Sequence, residues 1–106
     1  MARPTLHGEI LWASLDKRRP VVIVSRDDPE GRRQRVTVAT TTSKIREIAV
    51  EVVLGESDGL RGPSAVNCDE IATISKVRLG ERIGRLSPSA LADLHRALAF
   101  ALALPR

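Results

Sequence analysis

The sequence predicts a mainly β domain finished by a C-terminal helix, built as a small, strongly curved antiparallel sheet or partly open barrel with the helix laid against it. Three observations carry this. Five or six short, β-branched or alternating segments follow one another between turn-forming clusters. A single Ala/Leu-rich stretch at helical spacing comes last. The 106 residues suit one domain, 1–106, large enough for a core and too short for two typical ones.

Residues 8–14 read as the first strand, stopped by Asp16 and Lys17. Residues 20–25 are a near-continuous β-branched run, as expected of a strand buried on both faces. Pro20 is tolerated at its head, where no ladder donor is needed. Residues 27–34, with Pro29 and Gly31, form a charged loop, and residues 35–41 alternate as a third strand ended by Thr42, Ser43 and Lys44. Residues 48–54 alternate as a fourth strand, and residues 55–63, holding three glycines, form a loop. Ala65-Val66-Asn67-Cys68 marks a fifth strand, with a further extended piece over residues 71–74. Residues 76–79 suggest a helical turn and residues 81–86 a last short strand.

Ser87 can cap the closing helix, and Pro88 at its first position forfeits no hydrogen bond. Leu91, Leu94, Leu98 and Leu102 form its apolar stripe, with Asp93 and Arg96 on the wet side. More than half its girth is apolar, so it should pack on the sheet and also offer a surface to a second protomer. Phe100 is expected in the core.

Composition narrows the functional classes. No apolar run approaches the roughly 20 residues of a membrane helix, and residues 1–15 lack a signal-peptide core, so a soluble cytoplasmic protein is expected. One cysteine, Cys68, excludes an intrachain disulfide and a multi-cysteine zinc site. The net charge of +4 lies entirely in residues 1–50, which hold ten basic and six acidic side chains; residues 51–106 hold seven of each. Lys17-Arg18-Arg19 and Arg32-Arg33-Gln34-Arg35 concentrate it, and such clusters attract phosphate backbones.

Familiar catalytic motifs are absent: no nucleophile elbow, phosphate loop, dinucleotide fingerprint or metalloprotease helix. His7 and His95 stand alone, His7 in a segment expected to fray and His95 as a packing or surface residue. Cys68 lacks a basic neighbour and reads as a buried apolar residue. Asp69 and Glu70, adjacent on a strand, point to opposite faces. Two features carry more chemistry. Arg19, beside Pro20 on rigid scaffold, can hold a phosphate with its planar fork. Thr40-Thr41-Thr42-Ser43 brings hydroxyls to a strand end, with Lys44 following, where they can donate to a phosphate or a developing oxyanion.

Taken in order, these segments resemble the MazF/PemK family of toxin endoribonucleases. The matching pieces are Gly8-Glu9-Ile10-Leu11-Trp12, Arg19-Pro20-Val21-Val22-Ile23-Val24-Ser25, Thr40-Thr41-Thr42-Ser43, Ser64-Ala65-Val66-Asn67-Cys68-Asp69-Glu70-Ile71 and Ile83-Gly84-Arg85-Leu86-Ser87-Pro88. The resemblance implies an SH3-like small barrel of the MazF/CcdB/Kid type and a homodimer. It implies sequence-specific cleavage of single-stranded RNA (mRNA, with rRNA and tRNA open) without metal or other cofactor, and silencing by a cognate antitoxin. The family's catalytic arginine falls on Arg19 and its catalytic hydroxyl on Thr42, with Lys17, Arg18, Ser43 and Lys44 expected on the RNA backbone.

In that reading the substrate's 2′-hydroxyl attacks the adjacent phosphorus, leaving a 2′,3′-cyclic phosphate and a 5′-hydroxyl. Arg19 neutralises the transition state and is also a candidate to protonate the leaving oxygen; Thr42 bonds a phosphoryl oxygen. Many relatives carry a longer loop between the first two strands with a glutamate able to act as base. Here only Asp16, Lys17, Arg18 and Arg19 separate Leu15 from Pro20, so either Asp16 substitutes or Arg19 and Thr42 act alone. Trp12 and Phe100 are the only aromatic residues, few for a reader that stacks bases, and Trp12 reads as core. Two other classes stay open: a CcdB-like gyrase poison, which cuts nothing, and a non-catalytic SH3-like RNA-binding module.

Overall fold

The computed structural model describes residues 2–105. Six strands, β1 (Glu9–Ser14), β2 (Arg18–Ile23), β3 (Arg35–Thr42), β4 (Glu51–Leu54), β5 (Ser64–Ser75) and β6 (Leu79–Arg85), precede one helix, α1 (Pro88–Ala101). They form one antiparallel sheet in the order β4-β5-β3-β2-β1-β6. Its curl has a local origin. Ala39 pairs with Ile71 but the next residue, Thr40, pairs with Asn67, so Cys68, Asp69 and Glu70 bulge out of β5. A bulge of this kind bends its strand and adds twist. The first half of β5 thereby pairs with both β3 and β4, while the second half follows β3 alone.

The two sheet edges draw together through the 3₁₀ turn Glu56–Asp58 that follows β4. Gly59 sits there at φ +91°, and a Cβ on it would lie 3.0 Å from the Ile83 carbonyl oxygen of β6, so only glycine allows this approach. The result is a half-barrel, mainly β, as expected.

Apolar residues on alternate sheet positions make two cores. On one face Ile10, Val22, Ala39, Val52, Val66 and Cys68 receive Leu94 and Ala97 of α1. On the other, Leu11, Ala13, Val21, Ile23, Val36, Val38 and Ile74 pack without the helix. Ser87 caps α1 by accepting from the Ala90 amide at 3.2 Å, with Pro88 in the first turn, as expected. No helix among the described residues is long and apolar enough to cross a membrane.

Several expectations need correction. β2 starts at Arg18 rather than Pro20, because a three-residue turn (Leu15, Asp16, Lys17) lets Ser14 pair with Arg18 and Ala13 with Arg19. β4 starts at Glu51 rather than Ile48, because the Glu51 carboxylate accepts the Arg46 and Glu47 amides, both at 2.9 Å, and holds the preceding segment as a loop. Phe100 is not core: it is half exposed, in a shallow groove with Ile48 and Val53, because α1 turns only Leu94 and Ala97 fully inward. His7 is not frayed either. Its amide donates to Asp27 at 2.8 Å and its ring meets His95.

Candidate active site

The chemistry-bearing side chains gather on the face opposite the helix. Arg19 continues the alternation of Val21 and Ile23 along β2, and Thr40 and Thr42 continue that of Val36 and Val38 along β3. Since β2 and β3 are antiparallel neighbours, the start of one lies beside the end of the other. There the second core runs out and a cleft of about 530 Å³ opens. Arg19, Thr42, Lys44, Arg46, Asn67 and Glu70 are among its lining residues, with Asp16 at the rim.

Each of these is positioned by an identifiable local cause. The β2–β3 ladder ends at Val21 and Thr40, and the Thr41 hydroxyl donates to the Pro20 carbonyl at 2.7 Å where the next rung would be. Thr41 is buried and its proton committed, which leaves Thr42 as the strand-end hydroxyl open to the cleft. Thr42 Oγ1 accepts from the Lys44 amide at 3.1 Å, so its own proton remains available to an anion. That bond also turns the chain so that Lys44 lines the cleft. Arg46 is brought there by Glu51: burial pushes the Glu51 carboxyl up, but the Arg46 amide and guanidinium and the Glu47 amide outweigh it and hold the group charged. Asn67 immediately precedes the β5 bulge and Glu70 ends it, and both line the cleft, Asn67 buried and Glu70 exposed.

Arg19 is held by Asp16 through two parallel contacts, Nε to Oδ1 and Nη2 to Oδ2, each 3.1 Å. The Arg19 hydrogen bond, helped by the Lys17 backbone, draws the Asp16 carboxyl down to about 2. The same bond raises Arg19 further above its ordinary value, so it is a permanent cation and gives up no proton at neutral pH. A carboxylate this acidic is also a poor proton acceptor. The geometry therefore makes Asp16 an orienting partner of Arg19 and leaves Glu70 as the other carboxylate of the lining.

Of the residues the sequence singled out, Arg19, Thr42 and Lys44 share the cleft, while Lys17, Arg18 and Ser43 lie outside its lining. Arg18 points to the other face and stacks on Trp12, 4.2 Å from the ring centroid. Trp12 is half buried beneath it. Cys68 is buried as expected, and burial pushes its thiol up to about 11, which leaves it inert at neutral pH. Arg46, Asn67 and Glu70 were not singled out as site residues. Asn67 and Glu70 lie within a motif of the family resemblance, and Arg46 within the basic excess of the first half.

Residues 6–102 match the family described as PemK-like, MazF-like toxin of type II toxin-antitoxin system. The chain is 43% identical over 77 residues to Endoribonuclease MazF3 of Mycobacterium tuberculosis, covering 73% of this chain and 75% of that protein. Among solved structures it is similar to Mycobacterium tuberculosis toxin MazF-mt6, with TM-score 0.87, 39% identity and coverage of 92% and 99% of the two chains. It is also similar to a mycobacterial endoribonuclease in complex with its cognate antitoxin, with TM-score 0.85, 33% identity and coverage of 96% and 98%. The family match spans the strands, the cleft and the helix together, and the chain belongs to the PemK-like, MazF-like toxins of type II toxin–antitoxin systems, which are RNA-cleaving endoribonucleases.

Proposed function

We propose that the cleft between the start of β2 and the end of β3 cuts single-stranded RNA by internal transfer, without a metal. The observation that carries this is the convergence of Arg19 and Thr42, from adjacent strand termini, on one open cleft. The substrate's 2′-oxygen bonds to the adjacent phosphorus and the P–O5′ bond breaks. A 2′,3′-cyclic phosphate and a 5′-hydroxyl result. Arg19 neutralises the non-bridging oxygens with its fork, and Thr42 donates to one of them as charge builds there. Glu70 takes the 2′ proton, and O5′ leaves with a proton from solvent. Lys44 and Ser43 hold the phosphate next to the scissile one, and Lys17 and Arg18, outside the cleft, meet phosphates further along the strand. The chain acts in the cytoplasm as a homodimer, and its cognate antitoxin silences it by covering the cleft.

A mixed-sequence RNA incubated in EDTA should be cut, with ends that resist phosphatase until acid opens the cyclic phosphate. Arg19→Ala should lower the rate by about a hundredfold or more, and Thr42→Ala by roughly tenfold to a hundredfold, both with unchanged circular dichroism. Full activity in both folded variants rejects the assignment. Intact RNA together with trapped gyrase–DNA complexes would instead favour the gyrase-poison reading.

A further inference from the structure

We propose that His7 and His95, 88 residues apart in sequence, form a two-imidazole binding site for a divalent transition metal of the zinc, copper or nickel class. Their Nε2 atoms are 2.8 Å apart. The ring centroids are 5.1 Å apart with planes inclined by 24°. That centroid distance is about the greatest a 2.8 Å nitrogen contact permits, so the two nitrogens lie between the rings and face one another end on. Two imidazole nitrogens from separate elements, already within 2.8 Å of one another, supply the first requirement of a metal site, a pair of donors that one ion can reach.

The second requirement is a fixed tautomer, and a separate contact meets it. His7 Nδ1 lies 3.3 Å from the Ser25 carbonyl oxygen, an acceptor only, so Nδ1 carries the proton and Nε2 presents its lone pair to His95. A ligating histidine is usually held in this way by a carbonyl behind it. The His7 backbone is pinned as well, its amide donating to Asp27 at 2.8 Å, and His95 rides on the rigid helix α1. In the metal-free pair His95 donates its Nε2 proton to His7. On binding, that proton moves to His95 Nδ1, both rings stay neutral, and the metal takes the place of the bridging proton.

In a tetrahedral site, metal–imidazole bonds of about 2.0–2.1 Å need the nitrogens roughly half an ångström further apart and their lone pairs, in line in the metal-free pair, converging at about 110°. With His7 held, a swing of the exposed His95 side chain that carries its Nε2 roughly 2 Å sideways provides this. Among the described residues no group of three or more histidine, cysteine or carboxylate side chains could hold a metal, so water completes the coordination. The bound ion would staple the segment before β1 to α1, on the face away from the Arg19 cleft.

The sequence holds two histidines, so the test is unambiguous in protein free of any histidine tag. Zinc or nickel chloride is titrated in, followed by imidazole nitrogen NMR and by thermal melting. Both imidazoles should respond together and saturably, and Tm should rise. His7→Gln and His95→Gln should each weaken binding by at least roughly tenfold, and magnesium should do nothing. Equal binding by wild type and both folded variants, or a response from one imidazole alone in the wild type, overturns the proposal.

Discussion

Asp28 and Lys76 meet at 2.6 Å with side chains 11% and 3% exposed, whereas Asp16 and Arg19 meet at 3.1 Å with side chains 70% and 29% exposed. In both pairs the hydrogen bond from the cation is the largest influence on the carboxyl, and both carboxyls are drawn to about 2. Their surroundings separate them. Asp28 also accepts the Arg32 and Arg33 amides, and Lys76 also donates to the Arg3 carbonyl. The first pair thus ties the N-terminal segment, the loop after β2 and the turn after β5 into one unit. The second pair stands at the mouth of a cleft, where a phosphate can compete with Asp16 for the same fork. One ion pair is committed to the fold and the other is exchangeable, which is what the role proposed for Arg19 at a phosphate requires.

The sharpest way to break this comparison is to remove one cation from each pair. Arg19→Ala should abolish most RNA cleavage, about a hundredfold or more, while Tm shifts by only a few degrees, since exposed pairs contribute little to stability. Lys76→Met or Asp28→Asn should do the reverse. Stranding a buried charge, or losing it, lowers Tm by roughly 10 °C or more, while the turnover of the remaining folded protein is kept. Differential scanning calorimetry alongside a gel cleavage assay reads both effects, and an inactive but thermally unchanged Asp28→Asn would collapse the distinction.

Acid sharpens the comparison further, with a smaller effect. The folded-state value of Asp28 lies below the ordinary carboxylate value of about 3.9, so its contribution is present above that pH and is lost as pH falls toward 2. The Tm gap between wild type and Asp28→Asn should be wide at pH 6 and should close between about pH 4 and pH 2. A gap independent of pH would mean that the amide disturbs packing rather than charge.

How these regions could be read from the sequence differs for a physical reason. The strands were legible because β-branched alternation is local, and Ser87-Pro88 marks a helix start by itself. Arg19 and Thr42 were legible because they end such strands within motifs of the resemblance. The start of β2 was misplaced because Arg18 and Arg19 pair across a tight turn without any apolar pattern. Glu70 and Asn67 escaped because their place at the cleft depends on the Ala39/Thr40 register shift, a property of the pairing of β3 with β5. Asp28 with Lys76, and His7 with His95, lie 48 and 88 residues apart, and neither pair has a local signature.

The subtlest test concerns Asp16, whose removal should change activity least. Its carboxylate does two opposed things to Arg19: it holds the fork in one orientation and it occupies the position a phosphate would take. Asp16→Asn keeps the size and one acceptor oxygen but removes the competing charge. Ground-state binding should tighten, lowering KM by roughly twofold to fivefold, while the looser fork lowers kcat by roughly threefold to tenfold. The two changes nearly offset in kcat/KM, so a single-concentration assay would miss them and a full kinetic split is required. A loss of kcat of a hundredfold or more at unchanged KM would instead make Asp16 the proton acceptor. Glu70→Gln would then leave the rate untouched, whereas with Glu70 as acceptor it is the substitution that flattens the pH–rate profile.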